Sequence, residues 1–144
     1  MPWLPKKSVV VPVDFSDASK AAVDLALELV DSPEDLHVIH VSPSIFPTEI
    51  GYAWETLDEK QYLEAAEKAL RKWLADPKFA GADLLVKMGN PGLEIANHAQ
   101  DVLAELIVIP SHGRTGIQRL LLGSVAERVV RLADCPVLVL KAAE

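Results

Sequence analysis

Leu106-Ile107-Val108-Ile109 is the clearest indication of the fold of this chain, together with the predicted glycine loop that follows it, Ser111-His112-Gly113-Arg114-Thr115-Gly116 through Leu122-Gly123-Ser124. The first four residues are continuously apolar and mostly β-branched, which predicts a strand buried on both faces of a parallel sheet. After the loop, Ser124-Val125-Ala126-Glu127 opens a periodic helix. The stretch therefore predicts a strand, a glycine loop and a helix.

A loop of this kind is suited to holding an anion. The start of a helix exposes unpaired N–H groups and the positive end of the helix dipole, which together stabilise a phosphate without a lysine. Gly123 would let a ligand approach the backbone closely. The alternative is local, because Ser124 followed by Glu127 is also the pattern of a capping box, in which the serine satisfies a helix N–H.

Composition restricts the class of protein. The chain has 144 residues, of which half are apolar and 24% charged, so we expect a single globular domain over residues 1–144. A formal charge of −7 argues against nucleic acid as a partner. We find no signal-peptide pattern and no segment of membrane-spanning length, which favours a cytoplasmic protein. The single cysteine, Cys135, is interpreted as a buried structural thiol.

Strands and helices alternate along the chain. Strands are predicted at 8–13, 36–41, 82–88, 105–109 and 137–140, and helices at 16–31, 57–75, 91–100 and 124–133. Because parallel neighbours need right-handed crossovers, this order predicts an α/β fold: a doubly wound, five-stranded parallel sheet with helices on both faces. Ligands of such folds bind beyond the carboxyl ends of the strands.

A long irregular segment is predicted from Ser42 to about Thr56. Loops of this length tend to be functional, and this one follows the second strand. Tyr52 or Trp54 could stack on a base there, although an aromatic residue in a loop also packs on its own domain.

Several motifs, in the same order along nearly the whole chain, resemble the universal stress protein family. They are Val11-Pro12-Val13-Asp14-Phe15-Ser16, His40-Val41, Met88-Gly89-Asn90-Pro91, Ser111-His112-Gly113, Gly123-Ser124-Val125-Ala126-Glu127 and Cys135-Pro136-Val137-Leu138-Val139-Leu140. The resemblance implies a Rossmann-like domain of the adenine nucleotide alpha hydrolase-like type. It also implies a homodimer paired through the last strand, and in one subgroup ATP binding.

The ATP-binding pattern of that family is Gly, two residues, Gly, nine residues, Gly-Ser. Nine residues separate Gly113 from Gly123, whereas six separate Gly116 from Gly123, so Gly113 matches the second glycine. Pro110 then stands where the first glycine is expected. Proline has a fixed φ and no N–H, so any contact made through that glycine is altered here.

The resemblance also implies which residues bind the nucleotide. Adenine would contact Pro12, Val13 and Val41, with Asp14 near adenine or ribose. By its position Asp14 is also a candidate helix cap. The remaining predicted contacts are Met88, Gly89, Pro110, Ser111, His112, Gly113, Arg114, Thr115, Gly116, Gly123, Ser124 and Val125. Turn chemistry alone also explains Gly89.

We expect no protein-bound metal site, because His37, His40 and His98 show no metal-ligand spacing and His40 resembles a core residue. Asp14 could still hold Mg²⁺ of a nucleotide through water. The sequence contains no Gly-x-x-x-x-Gly-Lys-Ser/Thr motif and no kinase motifs.

Three functions stay open. The first is a homodimeric stress-response module that changes shape with adenine nucleotide. The second is a slow ATPase that acts as a timer. The third is a dimeric interaction protein without nucleotide, which Pro110 favours. The apolar last strand, Val137–Leu140, supports dimerisation in its own right because an uncovered sheet edge invites pairing.

Overall fold

The structure is a computed structural model that describes residues 2–43, 52–112 and 122–141, with side chains omitted for residues 52–58. Its helices and strands alternate as β1 (Val9–Pro12), α1 (Asp17–Leu29), β2 (Leu36–Ser42), α2 (Tyr52–Trp73), β3 (Asp83–Met88), α3 (Pro91–Asp101), β4 (Leu106–Pro110), α4 (Ser124–Leu132) and β5 (Val137–Leu140). The strands form one sheet in the order β3-β2-β1-β4-β5, and every pair is parallel.

Alternate residues of the central strands supply two separate apolar cores. Val9 and Val11 pack with α1 and α2 on one face of the sheet, whereas Val10 and Ile107 pack with α3 and α4 on the other. These side chains are fully buried, and burial of each contributes roughly 1.5–3 kcal/mol. The predicted doubly wound fold, with helices on both faces, is confirmed.

The second helix begins earlier than predicted. Residues 52–56, which the sequence analysis assigned to an irregular segment, form the first turn of α2, and Ser42 belongs to β2. No glycine or proline follows Gly51 in this region, so nothing stops the helix from extending back to Tyr52. Tyr52 and Trp54 are thus helical rather than loop residues, while residues 44–51 lie outside the described part.

Two further observations concern the whole chain. Cys135 is half-buried, and burial raises the pKa of its thiol, which fits a structural role. Within the described residues, no helix combines the length and the apolar character that crossing a membrane requires.

Candidate functional site

The sheet reverses its winding between β1 and β4. From β1 the chain winds outward through β2 and β3, and it then returns to the other side of β1 for β4 and β5. In open α/β sheets, ligands bind beyond the carboxyl ends of the strands at such a reversal. Of the residues predicted to bind nucleotide, 12–14 lie at the end of β1 and 110–112 at the end of β4, so they border this position, whereas Val41, Met88 and Gly89 lie at the ends of β2 and β3.

Two prolines stop β1 and β4 from pairing near their carboxyl ends. The register pairs Val10 with Ile107 and goes no further, although both strands are described throughout. Along a strand, successive N–H groups point alternately to the neighbouring strands on its two sides. The Val13 N–H donates to Ile39 on β2, and the Ser111 N–H donates to Leu140 on β5. The backbone nitrogens of the preceding residues, Pro12 and Pro110, therefore face the gap between β1 and β4. The next hydrogen bonds between β1 and β4 would need N–H groups from Pro12 and Pro110, and proline has no N–H. The strands therefore separate and leave a crevice.

On the β1 side, a tight turn connects the strand to α1. Pro12 and Val13 are buried and Asp14 is half-buried. The Asp14 carboxylate accepts a hydrogen bond from the Ser16 N–H at 3.0 Å. Ser16, not Asp14, caps α1, because its Oγ accepts from the Ser19 N–H at 3.1 Å. The proposed capping role of Asp14 is thus wrong in detail: its carboxylate orders the turn that precedes the cap.

Phe15 lies in this turn with a φ of 66°, a left-handed conformation that few side chains adopt. Its ring packs against His40, with centroids 4.8 Å apart, and against Trp73 at 5.4 Å. Such strain is stored where the surrounding structure enforces it, often at functional sites. The two aromatic contacts explain how the turn after β1 is held in place.

A polar chain that the sequence analysis did not predict runs from β1 toward α2. His40 Nδ1 lies 2.8 Å from the Val13 carbonyl oxygen, and its Nε2 lies 3.2 Å from Ser42 Oγ. Ser42 Oγ in turn lies 2.8 Å from the hydroxyl of Tyr62, which is partly exposed. His40 is therefore a partnered core residue, as predicted. These hydrogen bonds fix the carboxyl ends of β1 and β2 relative to each other.

The end of β3 is joined to the end of β2. Met88 is half-buried and pairs with Ser42, whose carbonyl oxygen accepts from the Gly89 N–H at 2.9 Å. Gly89 has a φ of 149°, which L side chains rarely adopt, so the predicted turn glycine is required by conformation. Asn90 then caps α3 by accepting from the Leu93 N–H at 3.1 Å. Val41, half-buried, packs on the α3 and α4 face of the sheet.

On the β4 side, Gly123 packs directly on the chain that leaves the strand. Its N–H donates to the Ser111 carbonyl oxygen at 2.6 Å. A Cβ at Gly123 would stand 3.1 Å from that oxygen and 3.4 Å from the His112 Cα. Ser111 is buried. The absence of a side chain at Gly123 is what lets the start of α4 lie against Ser111 and His112.

The capping-box alternative for α4 is wrong. Gly123 is the N-cap, so Ser124 is already the first helical residue, and no side-chain hydrogen bond caps this helix. Glu127 pairs with Arg131 at 2.6 Å instead of reaching back. Ser124 and Val125 are exposed. The first turn of α4 therefore faces solvent with its N–H groups uncapped by any described side chain.

His112 lies beside this helix start. Its buried Nε2 has no hydrogen-bond partner among the described residues. The neighbouring loop residues predicted to bind phosphate, Gly113, Arg114, Thr115 and Gly116, lie outside the described part of the chain. The structure thus brings together Ser111, His112 and Gly123 from the predicted set.

The described residues contain one cluster of possible metal ligands, although the spacing of the histidines in the sequence predicted none. His37, Asp83 and His98 each offer one ligand atom within 4.8 Å of the others, at the amino end of the sheet. His37 and Asp83 are register partners on β2 and β3. Aligning the two predicted strands could have indicated that pair, whereas His98 joins it only through the packing of α3.

Comparison with known proteins agrees with the fold and its motifs. The family model described as Universal stress protein family matches residues 6–141. The chain is 39% identical to the universal stress protein MJ0531 of Methanocaldococcus jannaschii, over 94% of this chain and 82% of that protein. It is 34% identical to the universal stress protein YxiE of Bacillus subtilis, over 92% and 97%. The chain belongs to the universal stress protein family.

Solved structures show the same architecture. The solved structure of MJ0577, a protein whose biochemical function was assigned from its structure, superposes with a TM-score of 0.83 at 25% identity. The match covers 98% of this chain and 99% of that one. A universal stress protein solved in complex with cAMP superposes with a TM-score of 0.64 at 24% identity, covering 96% and 99%. At that identity, the second match supports the fold alone.

Proposed function

We propose that this protein binds ATP or a related adenine nucleotide in the crevice between β1 and β4, with the phosphates at the start of α4. The observation that carries the proposal is the first turn of α4, which no described side chain caps and which lies against the residues that follow β4. Membership of the universal stress protein family and the cAMP complex of a similar structure agree with an adenine nucleotide as ligand.

The phosphate end is argued from the helix start. Three or four N–H groups of a first turn need acceptors, and a phosphate supplies several acceptor oxygens with negative charge at the positive end of the dipole. Ser124, exposed in that turn, adds a hydroxyl donor. His112 Nε2, which has no partner in the described part of the chain, would either donate to a phosphate oxygen or bind it through water.

The adenosine end is argued from β1 and β2. Pro12 and Val13 are buried apolar residues beside the crevice, and Val41 is half-buried at the end of β2. Small apolar residues of this kind pack flat on a base. The Asp14 carboxylate, which accepts from the Ser16 N–H, would also accept from a ribose hydroxyl or the exocyclic amine. Asp14 would hold the Mg²⁺ of the nucleotide through water.

Binding, not rapid catalysis, is the proposed activity. Phosphoryl transfer needs a metal-holding carboxylate, a group that orients the nucleophile, and cations on the leaving phosphates. Of these, the described residues provide Asp14 beside the crevice, and we assign no second catalytic group. A nucleotide held between the end of β4 and the start of α4 would alter the surface that partners meet.

The experiment is a calorimetric titration of the nucleotide-free protein with ATP and Mg²⁺. We expect one site per chain and a micromolar dissociation constant. In the variant Gly123→Val with Ser124→Ala, affinity should fall at least about 30-fold, or about 2 kcal/mol, because the valine side chain pushes α4 away from Ser111. The matched control is Ser32→Ala, which removes a cap of a short helical turn before β2 and should leave affinity unchanged.

The other outcomes distinguish the alternatives. No heat and no thermal shift with ATP, ADP or cAMP would overturn the proposal and leave a nucleotide-free interaction protein. Release of inorganic phosphate from ATP, lost in the same double variant, would instead establish the slow ATPase. Unchanged affinity in the double variant would place the phosphates elsewhere.

We also propose a homodimer paired through β5. This strand is at the edge of the sheet, and β4 covers one side of it. The hydrogen bonds to Leu140 and Pro136 carbonyl oxygens show that even-numbered residues face β4, so the N–H of Val139 points outward. Val139→Pro removes that donor without touching the β4 ladder, and Val139→Thr keeps it. Ultracentrifugation should give a monomer for the proline variant and a dimer for the threonine control; a wild-type monomer would overturn the proposal.

A further inference from the structure

We propose that His37, Asp83 and His98 form a binding site for a single Zn²⁺ ion, at the opposite end of the sheet from the nucleotide crevice. The three residues come from β2, β3 and α3. One ligand atom from each lies within 4.8 Å of those of the other two. The proposal stands apart from nucleotide binding, since it uses none of the same residues.

The geometry is close to that of a bound ion. Ligand atoms of tetrahedral zinc lie about 3.3 Å apart, given metal–ligand bonds of about 2.0–2.1 Å. His37 Nδ1 and Asp83 Oδ2 are already 2.9 Å apart. The rings of His37 and His98 are 6.2 Å apart between centroids and almost perpendicular. Small side-chain rotations would therefore bring all three ligand atoms to one centre.

His98 supplies an independent reason to expect a ligand. Its side chain is more than nine-tenths buried, and its Nε2 has no hydrogen-bond partner in the part of the chain that the structure describes. A buried polar atom without a partner is unfavourable unless something binds it.

The donor set selects the ion. Two imidazoles and one carboxylate suit Zn²⁺ and similar transition ions, whereas Mg²⁺ and Ca²⁺ prefer oxygen ligands. Three protein ligands leave the fourth position to water, and the Asp83 side chain is half exposed, so an ion can enter from solvent. The ion would tie the edge strand β3 to β2 and α3, stabilising the folded state by mass action.

The test uses the full chain, stripped with a chelator and titrated with ZnCl₂ alone. We expect one ion per chain, a raised Tm, and visible absorption of a tetrahedral centre when Co²⁺ replaces Zn²⁺. His37→Gln and Asp83→Asn should each lower the affinity for Zn²⁺ at least about 10-fold and remove the rise in Tm on Zn²⁺ addition. Both substituted side chains are partly exposed, which spares the fold.

The control variant is Glu28→Gln, an exposed carboxylate on α1, on the other face of the sheet. It should bind Zn²⁺ as the wild type does. Wild-type affinity in both His37→Gln and Asp83→Asn, or several weak ions per chain, would overturn the proposal and assign the binding to scattered surface groups. Displacement of Zn²⁺ by millimolar Mg²⁺ would also overturn it. Mg²⁺ prefers oxygen ligands, so such competition would mean that the ion is not held by histidine nitrogens.

Discussion

The starts of α1 and α3 differ from the start of α4, although all three helices begin at the same edge of the sheet. Ser16 and Asn90 each accept a hydrogen bond from an N–H of their own helix, at 3.1 Å in both cases. Gly123 has no side chain to do so. Two helix starts are therefore capped by their own side chains, whereas no described side chain caps the third. An edge that holds several helix N-termini does not by itself make several anion sites.

The glycines at two of these starts also serve different physical needs. Gly89, before α3, has a φ of 149° and is required for its backbone conformation. Gly123 has an ordinary φ of −61° and is required because the Ser111 carbonyl lies so close. Conformational need penalises any side chain, whereas close approach penalises mainly large ones.

The largest effect on stability is expected from Gly89→Ala. A residue held in this conformation costs about 1–3 kcal/mol of unfolding free energy, and the new Cβ would stand 3.3 Å from the Glu94 Cγ. Gly123→Ala should cost about 0.5–1 kcal/mol, since only the N-cap preference and a tight contact are involved. Urea denaturation of both variants measures the difference. Equal losses would mean that Gly89 is not conformationally required.

A smaller difference in unfolding free energy is expected between variants of Ser16 and Ser124, which lie at the starts of α1 and α4. Ser16→Ala removes a cap and should lower the unfolding free energy by about 1 kcal/mol. Ser124→Ala should change it by less than about 0.5 kcal/mol, because Ser124 is exposed and does not cap α4. Chemical denaturation followed by circular dichroism compares the two. A loss for Ser124 as large as that for Ser16 would restore the capping box.

The smallest effect is expected at Glu127. Its carboxylate pairs with Arg131 at 2.6 Å on the surface of α4, and exposed pairs of this spacing contribute about 0.3–0.5 kcal/mol. Glu127→Gln should cost that amount at low ionic strength and nothing measurable in 1 M salt. The same variant should bind ATP slightly more tightly, because a negative charge leaves the first turn of α4. Weaker ATP binding would show that Glu127 contacts the ligand or its metal.

Much of the fold could be predicted from short-range sequence patterns. The β-branched runs around Val9 and Ile107 place buried strands, and the alternation with amphipathic helices requires a parallel sheet. The last strand, Val137–Leu140, has the predicted bounds. The start of α2 was predicted too late, because helix extension back to Tyr52 gives no sharp signal in a stretch without proline or glycine.

Less of the candidate site could be predicted. Gly89 follows from turn chemistry, whereas the sequence predicted that Gly123 admits a ligand and did not predict its close approach to Ser111. The contact of His40 with the Val13 carbonyl depends on strand register, and so does the pair formed by His37 and Asp83. Neither is visible in the spacing along one strand, because one side chain comes from one element and its partner from another.

The sequence by itself determined the alternating elements, their burial and the position of the glycine loop at a strand end. It did so because hydrophobic periodicity and backbone restrictions act over a few residues. Only the three-dimensional packing shows that Pro12 and Pro110 face the same gap, that Gly123 rather than Ser124 is the N-cap of α4, and that His98 meets the amino ends of β2 and β3. These facts depend on register and helix packing, which bring together residues that are distant in the chain.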